Sequence, residues 1–143
     1  MPGPVVRIEG MSSLRRELRR VSTEFPREIR TENLAVAQDV ATRARSEASS
    51  LGGVHRHVQS GIKAGATMSA GRITLDGIRQ PAIFGAEFGG GRRPSTRQFP
   101  PWRGSGRNAG YMVYPTIWDR SHDIASQYEK LIDDLLKRGR LRA

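Results

Sequence analysis

The order of elements predicts an α+β domain: two N-terminal helices and a C-terminal helix packed on a small antiparallel sheet, with a long basic Gly/Pro-rich loop. Three observations carry that expectation. Apolar residues recur at helical spacing at both ends of the chain, the spacing shortens to two in the middle, and residues 89–110 (GGGRRPSTRQFPPWRGSGRNAG) follow neither period.

The first helix is predicted over residues 12–24. Leu14, Leu18, Val21 and Phe25 form one apolar stripe, Ser12 or Ser13 can cap the start, and Arg15, Arg16, Arg19 and Arg20 fall on a solvated face. Pro26 breaks this helix and suits the opening turn of the next, with Thr23 or Glu24 near its cap. The second helix should reach about Ser49. Ile29, Val36, Val40 and Ala44 make its apolar line, and Ala37, Ala41 and Ala48 widen it with small side chains that let another element come close. Glu28 and Glu32 favour the positive end of the helix dipole, and Gly52-Gly53 ends the run.

From Val58 the pattern changes. Val58, Ser60 and Ile62, then Ile73 and Leu75, alternate with their neighbours, and Ser69-Ala70-Gly71 would turn the chain between two antiparallel strands. Pro81–Phe88 is either a third strand or one helical turn. Gly110–Pro115 (GYMVYP) reads as another strand. The closing helix is capped at Asp119 or Ser121, carries Ile124, Tyr128, Leu131 and Leu135 with Ile132 and Leu136, and stops at Gly139. This gives one domain over 1–143, with an N-terminal arm at 1–10, an extended loop at 89–110 and a frayed tail at 139–143.

Composition narrows the function classes. With 36% apolar residues and nine aromatics, the core of a single copy should be thin, so assembly could supply further burial. The absence of cysteine excludes disulfides and thiolate metal sites. No apolar run approaches a membrane span and the first ten residues lack a signal core, which places the chain in the cytosol or in an assembly made there. The net charge is +10, and of 24 basic residues only Lys63, Lys130 and Lys137 are lysines. High genomic GC content would produce that bias; so would selection for guanidinium forks that hold phosphates or carboxylates.

Sites of chemistry are weak. His55 and His57 would share a strand face and His122 could join them, but no carboxylate stands at ligand spacing, so exposed loop histidines are the ordinary expectation and no metal is assigned. No nucleophile lies in a recognised setting. Gly89-Gly90-Gly91 before Arg92-Arg93 lacks the Lys-Ser/Thr of a phosphate loop, so no cofactor is expected. Asp133-Asp134 belongs to ion pairs at a helix end. The chain does not read as an enzyme.

The loop holds half of the net charge. It has five arginines and no acid, together with six glycines, three prolines, Phe99 and Trp102. As a nucleic-acid contact, Arg92, Arg93, Arg97, Arg103 and Arg107 would neutralise phosphates while the aromatics stack on bases. As a protein contact, Phe99-Pro100-Pro101-Trp102 is a stiff apolar anchor, and Trp and Arg are common hot-spot residues. A third option is a surface loop whose Phe and Trp tuck back onto the sheet. The proline pair favours protein contact, because it lowers the ordering entropy of an extended arm.

The arrangement resembles the small neck proteins of long-tailed bacteriophages, the head–tail joining or tail-completion family often grouped with minor tail components. The resemblance covers residues 10–138. It rests on the charged helix from Ser13 to Glu24, the Ala-rich helix from Arg27 to Ser49, and Val58-Gln59-Ser60-Gly61-Ile62 at a strand start. Ala82-Ile83-Phe84-Gly85-Ala86-Glu87-Phe88-Gly89 follows, then the Pro/aromatic pieces at 97–102 and 111–115 that lead into a closing helix. GRRPST and 103–110 are longer than the family plan needs. The resemblance implies a structural virion protein of the neck and tail, made in the host cytoplasm. It would form a homo-oligomeric ring and touch head–tail connector or stopper proteins, tail terminator or tail tube proteins, and genomic DNA in the lumen, with no membrane and no catalytic residues. Within it, Phe99, Trp102, Tyr111 and Tyr114 are expected as interface anchors and the five loop arginines as electrostatic contacts with protein or DNA. The alternative is a stand-alone nucleic-acid-binding protein that uses loop 89–110.

Overall fold

The computed structural model describes residues 5–6, 16, 19–21, 23–90, 99–104, 106 and 108–142. Arg92, Arg93, Arg97 and Arg107 lie outside these described residues.

Residues 16, 19–21 and 23–24 are helical, and the Phe25 N–H still donates to Val21 O at 2.7 Å. Phe25 leaves helical geometry for one residue, and Pro26 then opens α1 (Pro26–Leu51) at the position where a missing N–H costs least. The expected cap does not form: Phe25 caps without a side-chain bond, and the Thr23 hydroxyl donates backwards to Arg19 O. The periodic positions hold. Ile29, Val36, Ala37, Val40, Ala41, Ala44 and Ala48 are all buried on α1, which ends at Gly52.

After Gly52 the chain departs from the expected strand. Residues Gly53–Val58 form a short helix, α2, and Gln59–Gly61 a 3-10 turn, so β2 starts only at Ile62 (Ile62–Ala66). Val58 and Ile62 are both fully buried, and their four-residue spacing suits a helical turn as well as an alternating strand. β3 (Gly71–Leu75) pairs antiparallel with β2, with Ile62 opposite Leu75 and Ala64 opposite Ile73. The turn between them is pinned by Thr67, whose backbone N–H donates to Ala70 O and whose Oγ1 accepts from Ser69 and Ala70 N–H groups. A two-residue β1 (Val5–Val6), in the segment expected as an arm, pairs with the other edge of β3 and gives the order β1-β3-β2. Pro81–Phe88 resolves as helical: α3 spans Ile83–Phe88.

The largest correction is at the closing helix, α4, which spans Val113–Arg142. Gly110–Pro115 is therefore not a strand, Asp119 and Ser121 cap nothing, and Gly139 lies inside the helix rather than ending it, so 139–142 is not a frayed tail. Pro115 sits in the first turn, where its lack of an N–H is harmless.

The molecule is a mixed helical and antiparallel α+β fold. α1 is its central element, packing against β2, β3 and α4, and α4 lies along α1 rather than across the sheet. Asn33 marks the junction. Its Nδ2 donates to Thr67 O at 2.9 Å, and its Oδ1 accepts from the Tyr128 hydroxyl at 2.5 Å, so one buried amide ties the hairpin turn and α4 to α1. One apolar cluster joins Val21 and Phe25 to α1, both long strands, α3 and α4.

Candidate functional site

Residues 99–104 form a strap held against α3 and the turn that leads into α4. Its foundation is Glu87, a fully buried carboxylate on α3. Glu87 Oε2 accepts from Met112 N–H at 3.2 Å and Val113 N–H at 2.9 Å, and Oε1 from Val113 and Tyr114 N–H groups, each at 3.1 Å. The first N–H groups of a helix have no partner within it. Here they are met by a side chain 26 residues upstream of Val113, not by a neighbouring Ser or Asp. Burial raises the Glu87 pKa above 4.5, partly opposed by the backbone N–H donors of Val113, Tyr114, Met112 and Tyr111. Gly110, at φ +80°, leads into this turn, and a Cβ there would collide with Glu87 Oε1. The position needs glycine for its backbone and for its space.

The strap is bound back by its main chain. Gly90 N–H donates to Pro100 O at 2.8 Å, Arg103 N–H to Phe88 O at 2.6 Å, and Gly110 N–H to Arg103 O at 2.7 Å. Phe99 lies flat on Gly85, where a Cβ would come within 2.5 Å of its ring. Tyr111 donates its hydroxyl to Pro101 O at 2.6 Å. The Arg103 guanidinium sits 4.3 Å from the Tyr111 ring centre, and the His55 ring approaches the same tyrosine at 5.5 Å. Phe88 lies between Trp102 at 6.4 Å and Tyr114 at 5.4 Å.

Each expected anchor can now be placed. Phe99 and Tyr111 are used within their own chain, so this part of the 89–110 loop is folded inward on α3 and not on the sheet. Arg103 is stacked on Tyr111. Tyr114 is partly covered. Trp102, by contrast, is 61% exposed although its backbone is held on both sides. Sequence inspection missed Trp118, which is 52% exposed one helical turn beyond Tyr114 on α4. Its signal is the i+4 spacing from Tyr114, which places the two side chains on one face only when residues 113–118 are helical.

The histidines do not converge. His55 is buried on α2 with Nε2 lacking a hydrogen-bond partner, whereas His57 is exposed. His55 is therefore not the exposed loop histidine expected. Among the described residues no group of three His, Cys, Asp or Glu side chains could hold a metal ion, and no helix is long and apolar enough to cross a membrane. An open groove between α1 and β2 is lined by Gln38, Thr42, Arg45 and Ala64, and Arg45 is occupied there by Ile62 O, to which Nε donates at 3.0 Å and Nη2 at 2.5 Å.

Compared with known proteins, the chain matches no family model, no curated protein and no solved structure. Its function has to be argued from its own residues.

Proposed function

We propose that this chain is a structural subunit of a tailed-phage neck, assembling into a homo-oligomeric ring between the head connector and the tail tube. It would act through interface geometry and not as an enzyme. Its partners would be copies of itself, the connector or stopper on one side and the terminator or tube on the other, with the genome passing through the lumen of the virion neck. In that subunit α1 would back the small sheet and the strap at 99–104 would face the neighbouring chain.

The observation that carries this reading is the pair of exposed tryptophans on an ordered base. Trp102 packs beside Phe88, Trp118 follows Tyr114 by one helical turn, and Trp102 is displayed by a strap that four hydrogen bonds hold in place. A large aromatic kept in water on a rigid base is what an interface anchor requires, since little ordering entropy is lost on docking.

Sedimentation velocity and negative-stain electron microscopy over a wide concentration range test the reading. Closed rings of defined size are expected, either alone or on a connector or tail-tube ring. A protein that stays monomeric at high concentration and docks on neither would overturn it.

A further inference from the structure

β2 is an edge strand: it pairs with β3 on one side, and among the described residues no further strand lies beyond it. Which of its groups face outward follows from the two backbone bonds that bracket the ladder. Asp76 N–H donates to Gly61 O and Thr67 N–H to Ala70 O, each at 2.9 Å. An antiparallel ladder bonds alternate residues, so Lys63 and Gly65 turn their N–H and C=O toward β3, and Ile62, Ala64 and Ala66 turn theirs away. At Ile62 both outward groups are already used. Its N–H donates to Gln59 O, and its carbonyl accepts from Arg45 Nε at 3.0 Å. At Ala64 and Ala66 neither outward group has a bond among the described residues, which leaves two donors and two acceptors in one row.

The row is accessible and unguarded. An open groove separates it from α1 along Gln38, Thr42 and Arg45. The residues of the row are Ala64, Gly65 and Ala66, none larger than a methyl, and a Cβ built on Gly65 has nothing within 4 Å. Edge strands are commonly protected by a free charge, a proline or a bulge. The one charged residue of β2, Lys63, is instead held by Asp76 at 2.9 Å, and the β2–β3 ladder runs without a bulge.

We propose that the free edge of β2 pairs with β2 of a second copy of this chain, antiparallel, about a two-fold axis through Gly65. In that register Ala64 stands opposite Ala66 of the other copy and exchanges both bonds with it, and the reverse pair does the same. Every free group of the row is then met. Beyond it the ladder ends, because Ile62 has no group left to give. Local charge does not oppose the contact. Lys63 is neutralised by Asp76, and Arg72, opposite Gly65 on β3, stays three strand spacings, about 14 Å, from its counterpart. A second copy brings a row of the same length with the same small centre, which a foreign strand would have to match. The contact is short, below the size of a stable interface, so unaided pairing is transient in dilute protein. It uses no residue of the strap and does not depend on the neck reading.

Disulfide trapping tests it, because the chain has no cysteine of its own. Gly65→Cys would face its own counterpart across the axis as a non-hydrogen-bonded pair, with Cα atoms about 4.5 Å apart, within the span of a disulfide. With oxidised glutathione it should form a dimer about tenfold or more faster than Ile78→Cys, although Ile78 is 84% exposed. Ala66→Pro removes an outward N–H that the fold does not use and sets a ring on the edge. Added to Gly65→Cys, it should slow trapping to the Ile78→Cys rate. Hydrogen exchange on the trapped dimer gives a readout that needs no proline variant: the Ala64 and Ala66 amides should exchange about tenfold or more slowly than in the reduced protein. Trapping at Gly65 should persist in the Trp102→Ser, Trp118→Ser background, which separates this contact from ring assembly. Equal trapping at Gly65 and Ile78, loss of trapping in that background, or a trapped dimer whose Ala64 and Ala66 amides still exchange freely would each overturn the proposal and leave the edge to a foreign strand.

Discussion

Both carboxylate oxygens of Glu87 accept the Val113 N–H, at 2.9 and 3.1 Å, and by doing so set where a 30-residue helix begins. Glu87 also holds the neighbouring Met112 and Tyr114 N–H groups. Glu87→Ala would leave these donors buried or force the first turn of α4 to fray. The expected cost is about 2 to 4 kcal/mol, combining lost charged hydrogen bonds with unsatisfied backbone groups. Urea denaturation measures it directly; a change below about 0.5 kcal/mol, the range of ordinary surface substitutions, would deny Glu87 this role.

The same carboxylate gives a pH signature. Burial raises its folded pKa above 4.5, so in the window just above that value the folded state binds more protons than the unfolded one. Its contribution therefore favours folding below the unfolded pKa and declines as pH rises through the folded pKa. Asp76 acts oppositely: the Arg79 N–H, then Lys63, hold its pKa below 3.8, so its contribution is present above that value and fades under stronger acid. Comparing wild type with Glu87→Gln by denaturation at pH 7 and pH 5 isolates the first effect. The wild type should gain stability relative to the variant as pH falls across this interval.

Asn33 and Tyr128 form the second tie. Tyr128 is buried, and burial first, with the nearby Glu32 charge second, raises its pKa, so its hydroxyl stays a donor throughout the working pH range. Tyr128→Phe keeps the ring packing but leaves Asn33 Oδ1 without a donor, which should cost about 1 to 3 kcal/mol. Asn33→Ala should cost at least as much, because the Thr67 carbonyl at the hairpin turn also loses its donor. A double-mutant cycle should show the two losses to be non-additive; additivity would mean the hydrogen bond contributes nothing.

What could be read from the chain beforehand divides along physical lines. The α1 stripe was legible because burial repeats every turn, and Ile29, Val36, Val40 and Ala44 are all buried. The β2–β3 hairpin was legible in place but not in its start, because Val58 and Ile62 fit two periods equally well. The start of α4 was not legible: its cap comes from Glu87, and a contact across 26 residues leaves no mark in the local pattern around Val113. The inward fold of Phe99 escaped for the same reason, since what receives the ring is the absence of a side chain at Gly85. The antiparallel approach of Arg138 to Phe25 likewise follows only from tertiary packing.

The Gly85–Phe99 contact predicts a separation of strap from core. Gly85→Ala places a methyl group where the Phe99 ring lies, within 2.5 Å of it, and the ring must leave. Because α3 remains helical and Ala raises helix propensity, global stability should change by less than about 1 kcal/mol. Trypsin cleavage at Arg103 should accelerate severalfold, since a strap released from Gly85 opens without global unfolding. Unchanged cleavage at Arg103 would show that the strap is held by its backbone bonds alone.

Trp102 and Trp118 separate assembly from folding. Both side chains are more than half exposed, so replacing each with Ser should leave the urea midpoint nearly unchanged, Trp102 losing its contacts with Phe88 and Gly104. In an assembled ring the same side chains would be desolvated at the centre of a contact, where truncation typically costs about 2 kcal/mol or more, equivalent to roughly 30-fold in dissociation constant for each. The double variant should therefore sediment as a folded monomer under conditions where the wild type forms rings. Emission of the wild-type tryptophans should also shift to the blue on assembly, as water leaves the indole rings. Rings that form equally well without both tryptophans, with no spectral shift, would move the interface to another face and remove the observation on which the neck reading stands.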